Sequence, residues 1–176
     1  MLTLTAFNAR SGFAKDASAP RSEYCYDWTT ELVTAAQHCV SSVLGPQQNN
    51  NYGPINLFLE RGAWCEGTSR SGIGEWIIIR FNPSLFFQTI YVINGYTKSA
   101  ETFRNNSRVK QFRIDTSDGV VTYANLEDHP YEQVIHLPQK EKGSWIRFTI
   151  TDIYRGEKYS DTCLSKLLVD IEEFQR

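Results

Sequence analysis

The pattern of hydrophobic and polar positions changes once along the chain, near residue 50. After this point, apolar residues alternate with polar ones in short segments separated by turn residues. Alternation with a period of two indicates half-buried β-strands, and a short continuous apolar run indicates a strand buried on both faces. The predicted strands are residues 74–81, 89–96, 108–114, 119–126, 132–138, 144–154 and 165–174. Short strands at regular spacing predict an all-β, antiparallel β-sandwich.

Before residue 50 the apolar residues follow a helical spacing instead. They recur at intervals of three and four residues, at Trp28, Leu32, Ala35, Ala36, Cys39, Val40 and Val43. This spacing predicts one α-helix over about residues 28–44, followed by a Gly-Pro stop. We therefore divide the chain into an N-terminal segment, residues 1–48, and a β-sandwich, residues 49–176. The apolar stripe predicts that the helix packs on the sandwich, and a surface for a partner domain is the alternative.

The composition narrows the class of function. Hydrophobic residues make up 41% of the 176 residues, which is enough for one packed domain. A formal net charge of −2 with scattered lysines and arginines argues against a nucleic-acid partner. The chain contains no apolar run of about 18 residues, so a transmembrane helix is not predicted. The first 20 residues lack a basic segment ahead of a long apolar core, so they do not resemble an intact signal peptide.

Cysteine usage bears on the cellular compartment. The four cysteines, Cys25, Cys39, Cys65 and Cys163, are widely spaced, and the three histidines show no metal-site spacing with them. The ligands of a zinc site usually occur as closely spaced pairs in the sequence, so a zinc site is not predicted. An even number predicts two disulfide bonds, in one of three pairings, in a secreted, cell-surface or periplasmic protein. Four buried thiols in a cytosolic protein are the alternative.

Polar and aromatic motifs stand at the strand ends, where a sandwich usually presents its functional residues. In chain order they are WCEG (64–67), GIGEW (72–76), INGYTK (93–98), NSRVK (106–110) and KYSDT (158–162). Together they resemble the glycan-binding domain found ahead of streptococcal NAD glycohydrolase, within the discoidin-related, galactose-binding-like superfamily. The resemblance covers about residues 52–171. It implies a jelly-roll β-sandwich and a lectin-like module of a secreted bacterial protein, without catalytic residues.

The residue types in these motifs agree with a glycan ligand on their own terms. A sugar needs an aromatic platform for its apolar face and hydrogen-bonding groups for its hydroxyls. The predicted aromatic ligand residues are Trp64, Tyr96, Tyr154 and Tyr159. The predicted polar ligand residues are Glu66, Asn94, Lys98, Arg108, Lys158 and Asp161.

Each of these residues also has a structural alternative. Trp64 can pack in the core, and Glu66 and Lys98 can pair with each other to brace two loops. Arg108 can lie on a solvated strand face. The Tyr159–Asp161 segment can form a turn held by its own side chains.

The resemblance also implies a disulfide pairing. It places the loops of Cys65 and Cys163 together, so that Cys25 remains for Cys39. A helix that begins at Trp28 hinders the second pairing because a helix rises about 1.5 Å per residue. A later helix start, near Glu31, relieves this difficulty.

No metal or other cofactor is predicted. Many relatives hold calcium at an Asp-Gly turn ahead of the motif tryptophan, whereas this chain has Glu60-Arg61-Gly62 there. A calcium site requires several oxygen ligands and no neighbouring positive charge. Arg61 and Lys166 therefore disfavour calcium.

Two other functions remain as alternatives. A glycan hydrolase needs two carboxylates about 5–10 Å apart, for which Glu66 and Asp161 are the candidates. A protein or membrane adhesion module of the discoidin type would use an apolar loop tip, for which Leu85, Phe86 and Phe87 are the candidates. The same three residues could instead belong to a strand.

Overall fold

The structure, a computed structural model, describes residues 24–29, 35–60 and 62–172. The strands are β1 (Tyr24–Trp28), β2 (Ala35–Val40), β3 (Trp64–Cys65), β4 (Trp76–Asn94), β5 (Ser107–Thr116), β6 (Val121–Asn125), β7 (Glu132–Tyr154) and β8 (Thr162–Glu172). Two short helices, α1 (Ile55–Leu59) and α2 (Ala100–Asn105), lie between them. Among the described residues, no helix is long and apolar enough to cross a membrane.

The strands follow the order β1-β2-β4-β7-β5-β8-β3, and β6 pairs with the edge of β5. Neighbours are antiparallel, except that β5 and β8 meet in parallel. Strand β4 pairs with β2 through residues 77–82 and with β8 through residues 86–94. Between these two parts, its ladder with β7 has a register shift from Arg80 to Leu85. Strands β4 and β7 thus pass from one layer to the other, which gives the predicted all-β jelly-roll sandwich.

The long strands unite segments that the sequence pattern separates. The strands predicted at 74–81 and 89–96 are one strand of 19 residues, and those at 132–138 and 144–154 are one strand of 23 residues. In β4 the segment 82–84 between the two apolar runs is exposed. The alternation stops there because neither face of this segment contacts the core.

The main core lies between the two layers. Ile77, Ile79 and Phe81 of β4 belong to it, together with Phe112 of β5 and Phe148 of β7. The other face of β4 contributes to a second, smaller cluster of Cys39, Trp76 and Ile78, against which Trp145 packs. Because both faces of β4 are buried, its first half appears in the sequence as a continuous apolar run rather than an alternation.

The predicted helix over residues 28–44 is wrong for the residues that the structure describes. Trp28 ends strand β1, and Ala35–Val40 form strand β2, which lies between β1 and β4. Ala36 and Val40 face the main core, whereas Cys39 faces the smaller cluster. A strand buried on both faces loses its period of two, and its apolar positions then mimic a helical stripe. The boundary proposed between an N-terminal segment and the β-sandwich, at residues 48 and 49, lies between β2 and β3, which are strands of the same sheet.

The change from helix to strand explains the Cys25–Cys39 disulfide bond. The two residues are direct partners in the β1–β2 ladder, with Cα atoms 4.1 Å apart. The steric difficulty arose only from the predicted helix, and the predicted pairing is confirmed. Leu32 and Glu31 lie outside the described residues.

The apolar segment at residues 85–87 is a part of β4 and not a loop tip. Leu85 is 7% exposed and Phe87 is fully buried in the main core. The half-buried Phe86 ring lies beneath Lys142, with the ammonium 5.5 Å from the ring centroid. These residues therefore do not form the membrane-binding tip that the adhesion alternative requires.

A buried histidine joins the β1–β2 hairpin to the sandwich. His38 accepts a hydrogen bond at Nδ1 from Trp28 Nε1 (2.9 Å), and its Nε2 lies 3.0 Å from the Leu167 carbonyl oxygen. The Phe58 ring of α1 stacks on Trp28 at 4.9 Å. Since Nδ1 is an acceptor, Nε2 carries the proton and donates it to the carbonyl. The bond from Trp28 requires neutral imidazole, because a protonated Nδ1 cannot accept it, whereas Nε2 can donate in either protonation state.

We expect this histidine to make the protein less stable in mild acid. Burial lowers the pKa of His38 from 6.5 to about 4, so between these values the unfolded state binds more protons. The contribution of neutral His38 to the free energy of unfolding is complete above pH 6.5, and this contribution is lost as the pH falls toward 4. Each pKa unit corresponds to about 1.4 kcal/mol, which gives a loss of roughly 3 kcal/mol in the free energy of unfolding.

The measurement is denaturant unfolding at several pH values, compared with a His38→Gln variant. The comparison is needed because Glu66 and Asp161 have raised pKa values, so their contribution to stability increases as the pH falls. Both proteins contain these two residues, and their effect therefore cancels in the difference. The difference in stability between the two proteins should narrow as the pH falls. An NMR titration in which folded His38 gains its proton near pH 6.5 would contradict the prediction.

Candidate functional site

A disulfide bond fastens two of the motif loops to each other. Strand β3 pairs with β8 so that Cys65 lies opposite Cys163, and their Cα atoms are 4.1 Å apart. Both residues are buried, in a cluster that includes Tyr52 and Tyr96. The predicted pairing of Cys65 with Cys163 is confirmed, and it holds the WCEG and KYSDT motifs together.

The loop of residues 155–161 is fixed on the end of helix α2. The backbone N–H groups of Lys158 and Tyr159 both donate to the Asn105 carbonyl oxygen, at 3.1 and 2.8 Å. Gly156 allows this approach, because a Cβ atom there would lie only 2.4 Å from the same oxygen. The backbone therefore holds Tyr159 in place, independently of its side chain.

The INGYTK motif forms the turn between β4 and helix α2. Gly95 has a φ of +72°, and a Cβ atom there would lie 2.7 Å from Arg108 Cγ, so only glycine fits. Helix α2 begins at a capping box in which Ser99 and Thr102 exchange hydrogen bonds. Thr102 Oγ1 also donates to the Tyr96 carbonyl oxygen at 2.9 Å. The turn therefore has a defined conformation between the core and the helix.

These loops surround a cavity of about 360 Å³, which we call the tyrosine cavity. Four predicted ligand residues line it: Tyr96, Lys98, Tyr159 and Asp161. Its other lining residues are Leu44, Gln47, Asn50, Tyr52, Ser99, Thr102 and Asn106. The structure thus brings part of the predicted set to one concave surface that has both polar and apolar parts.

Aromatic and charged groups in the tyrosine cavity have different exposures. Tyr159 is 45% exposed, and the Lys158 ammonium lies 5.2 Å from its ring centroid. Tyr96 is only 7% exposed and packs edge-on against Tyr52. Asn50 Oδ1 accepts hydrogen bonds from Lys98 Nζ at 3.1 Å and from the Tyr96 hydroxyl at 3.4 Å. Tyr159 is therefore the ring available for stacking.

Asp161 gives the cavity a carboxylate. Its side chain is half-buried, and burial raises the pKa of the carboxyl above its usual range. A carboxylate that has lost part of its hydration is a strong acceptor for hydroxyl donors. Beside Tyr159 and Lys98, Asp161 completes a set consisting of a ring, a donor and an acceptor.

Trp64 and Asn94 have no exposed side-chain surface for a ligand. Both are 0% exposed. The Trp64 indole donates to the Ser42 carbonyl oxygen at 2.9 Å. The Asn94 amide pairs with the backbone of Val109, donating to its oxygen at 2.7 Å and accepting from its N–H at 3.0 Å. In this structure the two residues hold the loops from within.

Glu66 is also fully buried, and both of its carboxylate oxygens accept hydrogen bonds. Oε1 accepts from the Thr162 N–H at 3.2 Å, while Oε2 accepts from the Thr68 N–H and hydroxyl at 2.7 and 2.8 Å. Burial raises the pKa of Glu66, and these hydrogen bonds act against that increase. Lys98 contacts Asn50, and the ion pair with Glu66 that was its structural alternative is absent from the described contacts.

Arg108 and Tyr154 likewise bind other parts of the protein. Arg108 is 8% exposed and forms a two-pronged ion pair with Asp128, with distances of 2.8 and 2.9 Å. The Tyr154 hydroxyl donates to the Leu126 carbonyl oxygen at 2.9 Å. Neither residue lines the tyrosine cavity. The solvated strand face suggested for Arg108 is also not observed.

An amide-bearing loop forms one wall of the site, and none of its residues was among the predicted ligand residues. Gln47 and Asn50 of this loop line the tyrosine cavity, and their backbones pair with each other in a tight bridge. The available signal is the run PQQNNN at residues 46–51, which is equally typical of an ordinary polar loop. Amide side chains both donate and accept, which suits sugar hydroxyls.

The region predicted to disfavour calcium contains a tightly bound ammonium group. Lys166 Nζ lies 2.7 Å from Glu60 Oε1 and 2.8 Å from Glu132 Oε2. Across the described ranges, no group of three or more acidic, histidine or cysteine side chains could hold a metal ion. Arg61 lies outside the described residues. The absence of a cofactor stays a prediction.

Solved structures with the same fold include sugar-binding modules. A family 32 carbohydrate-binding module of Clostridium perfringens NanJ, solved with galactose, has a TM-score of 0.55 and 12% identity, covering 76% of this chain and 92% of that chain. Another C. perfringens family 32 module, solved with GalNAc-β-1,3-galactose, has a TM-score of 0.58 and 10% identity, covering 76% and 94%. At such low identities these similarities show the fold.

A larger relative shares the fold over a small part of its length. Arabinofuranosyltransferase AftD from Mycobacteria has a TM-score of 0.56 and 15% identity over 76% of this chain, which spans only 11% of AftD. No curated protein sequence matches this chain significantly.

A family model identifies the chain directly. The model of the NAD glycohydrolase translocation F5/8 type C domain matches residues 26–170. The matched region includes most of β1, all of β2, almost all of the remaining sandwich and every loop around the tyrosine cavity. The chain therefore belongs to the NAD glycohydrolase translocation F5/8 type C domain family.

Proposed function

We propose that this chain is a non-catalytic carbohydrate-binding module and that its sugar binds in the tyrosine cavity. The observation that carries the proposal is the 45% exposed Tyr159 ring at the edge of a cavity of about 360 Å³ that also contains Lys98 and Asp161. The ring provides a platform for the apolar face of a sugar. The ammonium, the carboxylate and the Asn50 amide provide donors and acceptors for its hydroxyls.

The rigidity of the cavity supports the same function. Disulfide Cys65–Cys163, the capped helix α2 and the backbone hydrogen bonds to Asn105 hold three walls in place. A preorganised surface loses little conformational entropy when it binds a ligand. Single modules with a small polar site bind weakly, and several copies increase the overall affinity through avidity.

Hydrolysis is not supported by the two candidate carboxylates. A glycosidase requires both to face the scissile bond, one as the acid and the other as a base or nucleophile. Glu66 is fully buried, and its two oxygens accept hydrogen bonds from Thr162 and Thr68. Only Asp161 of the pair lines the cavity. We infer binding without chemistry.

The disulfide bonds support a location outside the reducing cytosol. Both Cys25–Cys39 and Cys65–Cys163 are formed. Stable disulfides are typical of oxidising compartments. We infer a secreted or cell-surface domain whose partner is a glycan or glycoconjugate.

The experiment is a glycan array probed with multivalently displayed protein, beside Tyr159→Ala and a matched control, Tyr123→Ala. Tyr123 is 58% exposed on strand β6, and it does not line the tyrosine cavity. We expect binding to a related set of glycans, a loss of at least about tenfold in Tyr159→Ala and no change in Tyr123→Ala, because only Tyr159 can stack on the sugar.

Two results would argue against the proposal. Folded protein that binds no glycan on a broad array would reject the function and favour a protein or membrane partner. Alternatively, the two variants could reduce glycan binding equally, or neither could reduce it. Either result would retain the function but place its site elsewhere.

A further inference from the structure

A second cavity adjoins the tyrosine cavity. It has a volume of about 450 Å³, and we call it the asparagine cavity. Its lining residues are Asn49, Asn50, Asn51, Asn56, Glu60, Gly62, Tyr96, Thr97 and Lys98. It shares Asn50, Tyr96 and Lys98 with the tyrosine cavity. The two cavities are therefore neighbours on one surface.

The residues that the cavities share form the boundary between them. Lys98 Nζ donates to Asn50 Oδ1 at 3.1 Å, and the Tyr96 hydroxyl lies 3.4 Å from the same oxygen. Lys98 and the Asn50 loop thus touch across the groove. An ammonium group has three donors, so Lys98 can keep its bond to Asn50 and also donate to a ligand oxygen above the boundary.

The asparagine cavity is lined by groups that recognise hydroxyls. Asn49 is exposed, and Glu60, another lining residue, has its Oε1 bound to Lys166. Asn56 fixes the wall, since its amide donates to the carbonyl oxygens of Asn51 and Ala63 at 2.6 and 2.9 Å. Of the described residues that line it, only Tyr96 is aromatic, and it is 7% exposed. This cavity therefore offers hydrogen bonds and little stacking.

We propose that the ligand is an oligosaccharide of at least two residues that extends across the Lys98–Asn50 contact. This inference rests on the proposed function. One sugar stacks on Tyr159 in the tyrosine cavity, and the next lies in the asparagine cavity, held by Asn49 and Glu60. Lys98 lies between them, beside the glycosidic linkage. Each cavity is at the small end of the roughly 300–1,000 Å³ range of ligand pockets, and together they form an elongated site.

The test compares affinities for a monosaccharide and the corresponding disaccharide, chosen from the array, by isothermal titration calorimetry. We expect the wild type to bind the disaccharide about tenfold more tightly, which corresponds to about 1.4 kcal/mol for the second subsite. Asn49→Ala should remove most of this difference and leave monosaccharide affinity unchanged. Asn49 is exposed, so its replacement should not affect folding.

Gln47→Ala is the matched control because Gln47 is an exposed amide residue of the same loop that lines only the tyrosine cavity. It should change both affinities by the same factor. Equal affinity of the wild type for the two sugars would overturn the second subsite and leave the lectin function intact. An equal effect of Asn49→Ala on both sugars would also overturn it. No binding of either sugar would reject the proposed function itself.

Discussion

Replacing both Cys65 and Cys163 with alanine is expected to lower the free energy of unfolding by about 4–5 kcal/mol. The bond links residues 98 positions apart, so its loss frees a very large loop in the unfolded chain. In the loop-entropy estimate, closing a loop of about 100 residues contributes about 4.7 kcal/mol. Many single domains have a total stability of only about 5–15 kcal/mol, so this variant should be close to unfolding at physiological temperature.

The matched control is the other disulfide bond. Cys25 and Cys39 are 14 positions apart, and they also lie opposite each other on antiparallel strands with Cα atoms 4.1 Å apart. The same estimate gives about 3 kcal/mol for a loop of about 15 residues. Denaturant unfolding of the two double-alanine variants should therefore rank Cys65/Cys163 as the larger loss.

The two bonds should also differ in their effect on ligand binding. Cys65–Cys163 lies in the cluster with Tyr52 and Tyr96, which line the tyrosine cavity. Cys39 belongs to a cluster on the outer side of β4 with Trp76 and Ile78. Glycan affinity should fall in the first variant and persist in the second at temperatures where both are folded. Equal losses of stability and affinity would contradict this assignment.

Several strands after residue 106 could be predicted because buried positions alternate with less buried ones along them. In β7, for example, Ile146, Phe148 and Ile150 are buried, while Arg147 and Thr149 between them are partly exposed. The N-terminal hairpin could not be predicted in the same way. Ala36, Cys39 and Val40 are buried on opposite faces of β2, so the period that identifies a strand is absent. Tertiary packing, and not local preference, decides the conformation there.

The candidate site was predictable in position but only partly in composition. The motifs identify loops that the structure brings together, and Tyr96, Lys98, Tyr159 and Asp161 line one cavity. Nothing in the local sequence distinguishes these residues from buried Glu66, because a polar side chain that braces a loop resembles one that faces a ligand. Burial depends on which loops meet, and that is known only from the fold.

Arg108 illustrates this difference, and its replacement is the second large effect that we expect. Its guanidinium donates to the carbonyl oxygens of Phe103, Arg104 and Asn106 at 3.3, 3.4 and 2.9 Å, at the C-terminal end of helix α2. It also forms the two-pronged pair with Asp128. Arg108→Met should lower the free energy of unfolding by about 3 kcal/mol or more, since the carbonyl groups and the Asp128 carboxylate lose their donor.

Arg113→Met is the control because it makes the same change in the same strand. Arg113 also contacts an aspartate, Asp115, at 2.7 Å, but its side chain is 46% exposed, compared with 9% for Arg108. Exposed ion pairs contribute at most about 1 kcal/mol, so Arg113→Met should have a small effect in denaturant unfolding. Similar losses in both variants would show that the buried position of Arg108 has no special energetic role.

The arginine should also affect the ligand site through helix α2. The Asn105 carbonyl oxygen at the end of this helix binds the backbone of Lys158 and Tyr159, so fraying of the helix end releases the stacking ring. Arg108→Met should therefore weaken glycan binding although Arg108 does not line the cavity. Arg108→Lys retains the charge but cannot form the two-pronged contact, and it should give intermediate values of both stability and affinity. If affinity stays at the wild-type level in a folded Arg108→Met protein, the helix end does not control the position of Tyr159.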